Sequence, residues 1–217
     1  KFDETAGTQA IDSSPASSYY SSGSPVYINT SAILMNFDVE NCWVNGLINN
    51  CLTFNGSNSY CFVESNAANG LNTVLENNLE MSISMWVNIP SGYNPGATYD
   101  IVSNGGDFTI PGTYLIAGID NSADIVPYTQ ISYINGINTA NIAIMGTTPI
   151  NDNKWHNIIV NVVFQGGYCN IDMYLDGAVE TATSFAGTLT TVQHSAIKTY
   201  IGSRDGVIPS ASLFRGF

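Results

Sequence analysis

The side chains that could perform catalysis are 17 acidic residues and two histidines, His156 and His194. Glycoside hydrolysis needs two carboxylates roughly 5–10 Å apart, and no Glu-x-Asp-x-x-Glu spacing places such a pair on one strand. Glu76 and Glu80 are spaced for one face of a helix instead. The sequence also contains no Gly-x-Ser-x-Gly turn, which exposes the nucleophilic serine of many hydrolases. It therefore predicts a protein that is not an enzyme, with His194 at the surface.

Tyrosines are the second group with chemical potential, because their rings can stack on sugars or supply rigid contact area in protein interfaces. Those in or near predicted loops are Tyr19, Tyr20, Tyr27, Tyr93, Tyr99, Tyr128 and Tyr133. The alternative is loop anchoring, in which the ring packs and the hydroxyl forms a hydrogen bond. Tyr99 and Tyr128 are our candidates for ligand contact.

The four cysteines, Cys42, Cys51, Cys61 and Cys169, allow three disulfide pairings if all are bonded. Cys42 and Cys51 close a short loop, so we expect a local bridge there. Cys61 and Cys169 lie in strand-like runs on the side assigned to the core, where a bridge would join distant strands. The alternative is four reduced thiols, buried as small apolar side chains. No Cys-x-x-Cys pair is present, so the spacing does not indicate zinc.

The charge composition and the lengths of the apolar stretches exclude two classes of partner. Only five residues are Lys or Arg, against 17 Asp and Glu, for a formal net charge of -12. Nucleic-acid binding relies on Lys and Arg that neutralise phosphates, and so few cations cannot form such a surface. No apolar stretch approaches the ~20 residues of a membrane-spanning helix, so we expect no membrane insertion. Solubility through Asn, Ser and Thr is typical of extracellular, cell-surface or virion-surface proteins.

Alternation with a period of two dominates the sequence and predicts β-strands. In Met81–Val87 the odd-numbered residues point to one side and the even-numbered residues to the other. The same alternation follows Trp155, and Cys169–Leu175 ends at a hairpin signal, Asp176-Gly177. Only 67–80 could accommodate a helical turn. The chain is predicted to be all-β, an antiparallel two-sheet β-sandwich forming a single domain over residues 1–217.

Further strands are predicted between clusters of turn residues. Their ranges are Ser59–Glu64, Asp100–Ser103, Thr113–Ile119, Gln130–Tyr133, Ile142–Met145 and Lys198–Ile201. The Ser-rich stretch Ser13–Ser24 is predicted to be a surface loop, because the segments on both sides of it are strand-like. Many short strands joined by turns are typical of a sandwich or a barrel.

Six segments occur in an informative order. They are Phe2–Gly7, Leu52–Tyr60, Met81–Val87, Trp155–Asn157, Met173–Gly177 and Ile201-Gly202 with Phe214–Gly216. In that order they resemble the opening strand, the F-N-G-x-x-x-Y segment, the Trp-Val strand, the W-H-x strand, the Y-V-D-G hairpin and the closing segments of the laminin-G-like, concanavalin A-like jelly-roll superfamily. The pentraxin-related branch is the most similar. The resemblance covers nearly the whole chain and implies a jelly-roll sandwich.

The resemblance implies a calcium site where two loops meet at one rim of the sandwich. The corresponding residues here are Asn104, Asp107 and Asp205, whose oxygens suit Ca²⁺. Arg204 departs from the acidic or amide side chains of the relatives, and its charge opposes a cation. The alternative is that Asp107 and Asp205 cap turns. The resemblance also implies a structural role for His156, with its imidazole bonded to neighbouring backbone.

The function implied by the resemblance is a non-catalytic recognition or adhesion module. It would bind a glycan or a surface protein at its loop rim, with Ca²⁺ as a conditional cofactor. The family continues past the last glycine into one more strand, so we expect a fragment of a longer chain that lacks its final strand. Neighbouring domains or subunits of the same assembly would then be further partners. The alternative is a structural subunit or decoration domain of a filament, capsid or surface layer, and a glycan-active enzyme is the third hypothesis.

Overall fold

The structure is a computed structural model that describes residues 9–10, 18–21, 24–27, 32–38, 41–47, 49–63, 79–93, 98–104, 112–120, 125–134, 139–165, 168–180, 183–185, 198–204 and 214–217. Every regular element in these ranges is a β-strand, and none of the described residues forms a helix long and apolar enough to cross a membrane. The strands are β1 (Gln9–Ala10), β2 (Ser18–Ser21), β3 (Ser24–Tyr27), β4 (Ala32–Met35), β5 (Trp43–Asn45), β6 (Asn50–Leu52), β7 (Phe54–Asn55), β8 (Tyr60–Val63), β9 (Glu80–Asn88), β10 (Tyr99–Ser103), β11 (Gly112–Asp120), β12 (Val126–Ile134), β13 (Thr139–Met145), β14 (Trp155–Gln165), β15 (Tyr168–Leu175), β16 (Ala178–Val179), β17 (Thr183–Phe185), β18 (Thr199–Ile201) and β19 (Arg215–Gly216).

Two main sheets form the molecule. The larger has the order β1-β4-β8-β18-β10-β11-β12-β13-β17, and the smaller has the order β16-β15-β14-β9. The short pairs β2-β3, β5-β6 and β7-β19 stand beside them. Neighbouring strands pair antiparallel throughout both main sheets. The predicted all-β, antiparallel two-sheet jelly-roll sandwich is therefore confirmed.

The alternation along β14 shows how the sequence builds the core. Ile158, Val160 and Val162 are at most 1% exposed, and each contributes about 1.5–3 kcal/mol by leaving water. On the opposite face of the smaller sheet, Ser82 Oγ donates to Asn161 Oδ1 at 2.7 Å. One face of the smaller sheet is therefore apolar and packs inward, whereas polar pairs lie on the other.

The core joins the two sheets. The larger sheet contributes residues such as Leu34, Cys61, Ile119 and Ile131 to the same buried cluster as Val160 of the smaller sheet. Since stacked sheets lie about 10 Å apart, these side chains fill the space between the layers. The site described below is built on the larger sheet, on the side away from this core.

The predicted hairpin at Asp176-Gly177 is confirmed, and its backbone explains the residue types. Asp176 has φ 52° and Gly177 has φ 82°, so both central residues are left-handed. That combination defines a type I′ turn, whose twist matches the flanking strands, β15 and β16. Glycine adopts this backbone without strain, and aspartate tolerates it better than most residues.

Two segments predicted to be loops contain strands. Residues Ser18–Ser21 lie inside the predicted Ser13–Ser24 loop but pair with Ser24–Tyr27 as a hairpin. The stretch between Cys42 and Cys51 is likewise the β5-β6 hairpin, with Val44 opposite Cys51. Both hairpins have very short strands, so the period-two signal never accumulates over enough residues to be recognised.

The predicted disulfides are not formed, since Cys42, Cys51, Cys61 and Cys169 are free thiols. Val44 is opposite Cys51, so Cys42 is a diagonal neighbour, and diagonal residues are about 7–8 Å apart, beyond disulfide reach. Cys61 lies in β8 of the larger sheet and Cys169 in β15 of the smaller sheet, and no bond joins them across the core. Their assignment to the core is confirmed, with exposures of 0% and 8%.

Candidate functional site

The candidate site begins where β10 and β18 lie side by side. Val102 pairs with Ile201, and the Gly202 amide donates to the Ile101 carbonyl at 2.8 Å. Because these strands are adjacent, the residues that follow Ile201 lie next to β10. The structure therefore brings the two predicted rim segments together, although they are distant in sequence.

A buried ion pair joins the two segments. Arg204 Nε donates to Asp100 Oδ2 at 2.7 Å, and Nη2 donates to Oδ1 at 3.2 Å. The Asp100 side chain is fully buried, and that of Arg204 is 29% exposed. A carboxylate without water is costly unless a cation and hydrogen bonds compensate it. Arg204 supplies both, which explains a cationic residue where the family resemblance implies an acidic or amide one.

Tyr128 lies in the same row of the sheet as Asp100. Asp100 pairs with Gly118 of β11, and Gly118 pairs with Tyr128 of β12. Paired residues share a face of a sheet, and neighbouring strands are about 4.8 Å apart, so Asp100 and Tyr128 flank Gly118 at about 10 Å. A Cβ on Gly118 would lie 2.0 Å from the Tyr99 carbonyl oxygen, so only glycine fits. We call Asp100, Gly118, Tyr128 and Arg204 the Asp100–Tyr128 row.

Polar side chains continue this surface along β12. The Tyr128 hydroxyl donates to Gln130 Oε1, and Gln130 Nε2 donates to Ser132 Oγ at 2.7 Å. These three residues alternate with Thr129 and Ile131, which are fully buried. Ser132 is buried as well, at 2% exposed, so the half-buried ring of Tyr128 and amide of Gln130 are the accessible part of this hydrogen-bonded line.

The other predicted ligand-contact residue, Tyr99, lies in the core instead. It is 7% exposed, and its ring packs against that of Tyr93 with centroids 6.0 Å apart. Burial, and then the hydrogen bond with Tyr93, raise the pKa of the Tyr99 hydroxyl. Tyr99 is the first residue of β10, and this end of the strand is buried. The ring of Tyr99 is therefore not open to a ligand.

Of the three predicted calcium ligands, only Asn104 lies within the described residues. Asn104 is fully buried at the end of β10, and Ser203 is fully buried beside Arg204. Asp107 and Asp205 lie outside the described residues. Within the described ranges, no three His, Cys, Asp or Glu side chains are grouped so that they could hold a metal ion. Asp100 is already paired with Arg204, so the described part of the rim offers neutral oxygens and a guanidinium.

Gly202 fixes the turn that carries Arg204. Its φ is 81°, and a Cβ there would lie 2.5 Å from the Phe54 ring. The Phe214 amide donates to the Gly202 carbonyl at 3.0 Å, and Phe54 and Phe214 pack edge to face with centroids 5.6 Å apart. Backbone hydrogen bonds and the Phe54 ring therefore fix the position of Gly202. Gly202 in turn determines where the chain continues to Arg204.

His156 has different partners from those the resemblance implies. Its Nδ1 lies 2.8 Å from Asp176 Oδ2, and its Nε2 lies 3.1 Å from Asp152 Oδ1. Burial lowers the pKa of His156, but the hydrogen bonds to Asp176 and Asp152 outweigh burial and raise it. Asp152 also pairs with Lys154, and the Lys154 and His156 bonds lower its pKa to about 2. The imidazole thus bonds two carboxylates rather than backbone.

A match to a family model shows which protein superfamily the chain belongs to. The laminin G-type model described as the Concanavalin A-like lectin/glucanases superfamily matches residues 55–216, well over half of the sequence. The chain belongs to this superfamily. The match contains every residue of the Asp100–Tyr128 row, so that row is part of the superfamily domain. The pentraxin-related branch and the single domain over residues 1–217 stay predictions.

Among solved structures, the mouse laminin alpha1 chain, domains LG4-5, is similar to the chain. The identity is 12%, the TM-score is 0.47, and the similarity covers 76% of this chain and 39% of that one. The chain thus spans well under half the length of the laminin structure. No curated protein matches the chain.

Sequence reasoning did not find Gly118, Gln130 and Ser132. Gly118 lies inside the long strand β11. An isolated glycine in a strand can indicate that another segment of backbone comes close to it, and this was the only signal that the sequence offered for Gly118. Gln130 and Ser132 alternate with buried residues, a signal that identifies an outer face without identifying a ligand. Their link to Asp100 requires knowledge of which strands are neighbours.

Proposed function

We propose that this domain is a non-catalytic recognition module that binds a neutral glycan on the Asp100–Tyr128 row, beside the loop rim. The observation that supports it is the row itself, which places an aromatic ring and an ion-paired guanidinium on either side of a glycine. A sugar ring presents apolar C–H groups on its faces and hydroxyls on its edges. An aromatic ring flanked by planar hydrogen-bonding groups complements both.

The charge balance supports a neutral ligand. Asp100 and Arg204 form a bidentate pair whose charges cancel, and Gln130 and Ser132 are uncharged. The whole chain carries a formal net charge of -12, which repels a sulfated or carboxylated polymer at long range. A hydroxyl-rich, uncharged glycan avoids that repulsion.

Calcium enters this proposal only through Asn104, Asp107 and Asp205. Ca²⁺ takes 6–8 oxygen ligands and favours carboxylates. Because Arg204 occupies Asp100, the carboxylates would have to come from Asp107 and Asp205. We propose that the glycan binds the row with or without Ca²⁺, and that any calcium effect acts on the rim loops.

Four of the described carboxylates already have partners within the protein, which supports a binding role over hydrolysis. Asp100 is held by Arg204, Glu180 Oε1 accepts from the Thr147 and Thr148 amides, and Asp152 and Asp176 both bond His156. A glycosidase instead directs one carboxyl at the leaving oxygen and a second at the sugar ring or a water. We propose that this recognition takes place outside the cell, at a cell or virion surface.

A glycan array with matched tyrosine variants tests the proposal. Tyr128→Ala removes the ring of the row, whereas Tyr168→Ala removes a 66% exposed ring from the other sheet. We expect the wild type and Tyr168→Ala to bind the same neutral glycans, and Tyr128→Ala to lose about 1–3 kcal/mol of binding, the scale of a good stacking contact. Equal binding by all three proteins, or binding of acidic glycans alone, would contradict the proposal.

The cofactor is tested on the same array. Adding Ca²⁺ and then a chelator should leave the set of bound glycans unchanged. A loss of all binding in chelator would move the site from the row to the rim loops. A protein ligand in place of a glycan would appear as a silent array and a Tyr128-dependent interaction with a surface protein.

A further inference from the structure

The outer face of the smaller sheet carries apolar residues where a solvated face would carry polar ones. The side of an antiparallel sheet that faces water normally consists of polar side chains. On β14, however, the outward positions on either side of Asn161 are occupied by Ile159 and Val163, and both side chains are only half-buried. Water therefore reaches two β-branched apolar residues on the strand that lies between β9 and β15.

An apolar strip crosses this face from strand to strand. Ile159 pairs with Tyr174 of β15, and Tyr174 pairs with Val179 of β16. Because paired residues share a face and neighbouring strands are about 4.8 Å apart, these three residues form a strip about 10 Å long, which we call the outer strip. Val179 is 75% exposed, the highest value for a large apolar side chain among the described residues. Exposed apolar surface that polar residues border is typical of an interaction site.

Two exposed carboxylates lie on one side of the outer strip. Glu80 pairs with Val163, and Asp172 pairs with Asn161, so both belong to the same face as the strip. The spacing of strands and of residues along them puts the two acidic residues about 12 Å apart, on either side of β14. Within the part of the chain that the structure describes, neither carboxylate has a hydrogen-bond or ion-pair partner. Both are therefore available to an incoming cation.

The smaller sheet has no cation of its own to balance these charges. Its four strands contain Glu80 and Asp172 but no Lys or Arg. Lys154, just before β14, is bonded to Asp152, and His156 lies between Asp152 and a second carboxylate. The formal net charge of -12 on the whole chain adds to the negative potential of this face. The face is therefore complementary to a partner that carries positive charge.

We propose that the outer face of the smaller sheet binds a basic segment of another protein. Two Lys or Arg side chains of that segment, about 12 Å apart, pair with Glu80 and Asp172. An aliphatic side chain next to the second cation packs on the outer strip, against Tyr174 and Val179. The apolar contact supplies affinity, because it removes exposed apolar surface from water, and the charge pairs set the orientation of the segment and speed its association.

This occupant is favoured over the other partners that an apolar strip could take. Two copies of the chain packed through this face would bring the carboxylates of one copy against those of the other, and like charges repel. Nucleic acids and anionic membranes carry phosphates of the same sign as the face. The face lies on the opposite side of the sandwich from the Asp100–Tyr128 row, so the proposal stands whether or not that row binds a glycan.

A chemical-shift titration of the intact chain with a synthetic peptide tests the proposal. The probe is the capped peptide Arg-Thr-Val-Thr-Arg-Thr-Leu, whose arginines lie about 13 Å apart on one side when the peptide is extended. We expect shifts at Val163, Asp172, Tyr174 and Val179, and an affinity that falls at least about fivefold between about 50 mM and about 300 mM NaCl, because exposed charge pairs are screened by salt. The same peptide with glutamine in place of both arginines should bind at least about tenfold more weakly.

Charge-neutralising variants separate this face from the overall charge of the chain. Glu80→Gln and Asp172→Asn nearly preserve side-chain shape, and each should weaken peptide binding about two- to fivefold. Asp38→Asn removes one charge from the turn after β4, away from the face, and should leave the affinity nearly unchanged. Val179→Ser removes the most exposed apolar side chain of the outer strip and should weaken binding about two- to threefold.

Three results would overturn the proposal. One is the absence of shifts on this face at about 5 mM peptide, a concentration that detects even a weak contact. Another is the same loss of affinity for Asp38→Asn and Asp172→Asn, because binding would then follow the net charge and not the face. The third is a dimer that Val179→Ser dissociates and that binds no peptide, which would make a second copy the occupant.

Discussion

Arg204 donates two hydrogen bonds to the buried carboxylate of Asp100, 104 positions earlier in the sequence. The pair fastens the turn after β18 to β10, and it puts a guanidinium in the row that ends at Tyr128. The positive charge of Arg204 opposes calcium binding at the rim that the family resemblance implies. Arg204 is instead the counterion of the fully buried Asp100 carboxylate. The pair links the stability of the sandwich to the geometry of its candidate ligand surface.

A double-mutant cycle measures this link. Arg204→Gln removes the guanidinium that neutralises the buried Asp100 carboxylate and should cost about 3–5 kcal/mol of unfolding free energy. Asp100→Asn leaves a partly exposed arginine and should cost less. The double variant should be more stable than the sum of the single losses implies, by about 1–3 kcal/mol, in chemical denaturation. Additive losses would show that the two groups do not interact.

Gly202 and Gly177 form a matched pair for testing the turn that carries Arg204. Both have left-handed backbones, with φ 81° and 82°. Gly202→Ala adds a methyl group 2.5 Å from the Phe54 ring, whereas Gly177→Ala meets nothing within 4 Å. Both substitutions place a side chain on a left-handed backbone, which costs about 1 kcal/mol. Gly202→Ala also forces the new methyl group against the Phe54 ring, so we expect it to lose about 2–5 kcal/mol of unfolding free energy, whereas Gly177→Ala should lose about 1 kcal/mol. Similar melting temperatures for both variants would contradict the close packing of Gly202.

The His156 cluster predicts a pH dependence of stability. The pKa of His156 is raised above 6.5 in the folded chain, so its contribution is fully present below pH 6.5 and is lost as pH rises through the folded value. The pKa of Asp152 is lowered from 3.8 to about 2, so its contribution is present above pH 3.8 and is lost as pH falls toward 2.

Replacing the imidazole isolates the histidine contribution. The wild type should exceed His156→Gln in unfolding free energy by about 1 kcal/mol near pH 5, the scale of surface ion pairs, and by less near pH 8. Urea titrations at both pH values measure the difference, with His194→Gln as the control. A gap that widens toward pH 8 would show that the imidazole is bound in its neutral form.

The thiols predict a ranked reactivity. Intact mass after alkylation in denaturant should show four modified cysteines without prior reduction, because all four are free. In the folded protein Cys51, which is partly exposed, should react first. Burial raises the pKa of Cys61 and raises that of Cys169 to about 12, so both should react slowly. Two missing labels, with a mass lower by two hydrogens for that pair, would show a disulfide instead.

The fold could be predicted because its signal is local. The alternation in Met81–Val87 and after Trp155 fixes which side chains face the core, and Asp176-Gly177 specifies its own turn. The β5-β6 hairpin escaped prediction because strands of three residues give too little alternation. Tyr99 and Tyr128 were both chosen because they lie near predicted loops, yet Tyr99 is buried and Tyr128 is half-buried, since proximity to a loop does not specify burial.

The site could not be predicted because it depends on strand order. Asp100, Gly118 and Tyr128 form a row only because β10, β11 and β12 are consecutive neighbours in the sheet. The sequence suggested the rim segments through family resemblance, yet it gave no reason to pair Arg204 with Asp100. Pairing across 104 positions is a property of the fold, not of spacing.

The most direct test of the account is chemical-shift mapping with the neutral glycan that binds tightest on the array. We expect the largest shifts at Gly118, Tyr128, Gln130 and the Arg204 guanidinium, with the outer face of the smaller sheet unchanged. Shifts centred on any other surface, or no bound glycan at all, would contradict the proposal that the Asp100–Tyr128 row is where this domain recognises its ligand.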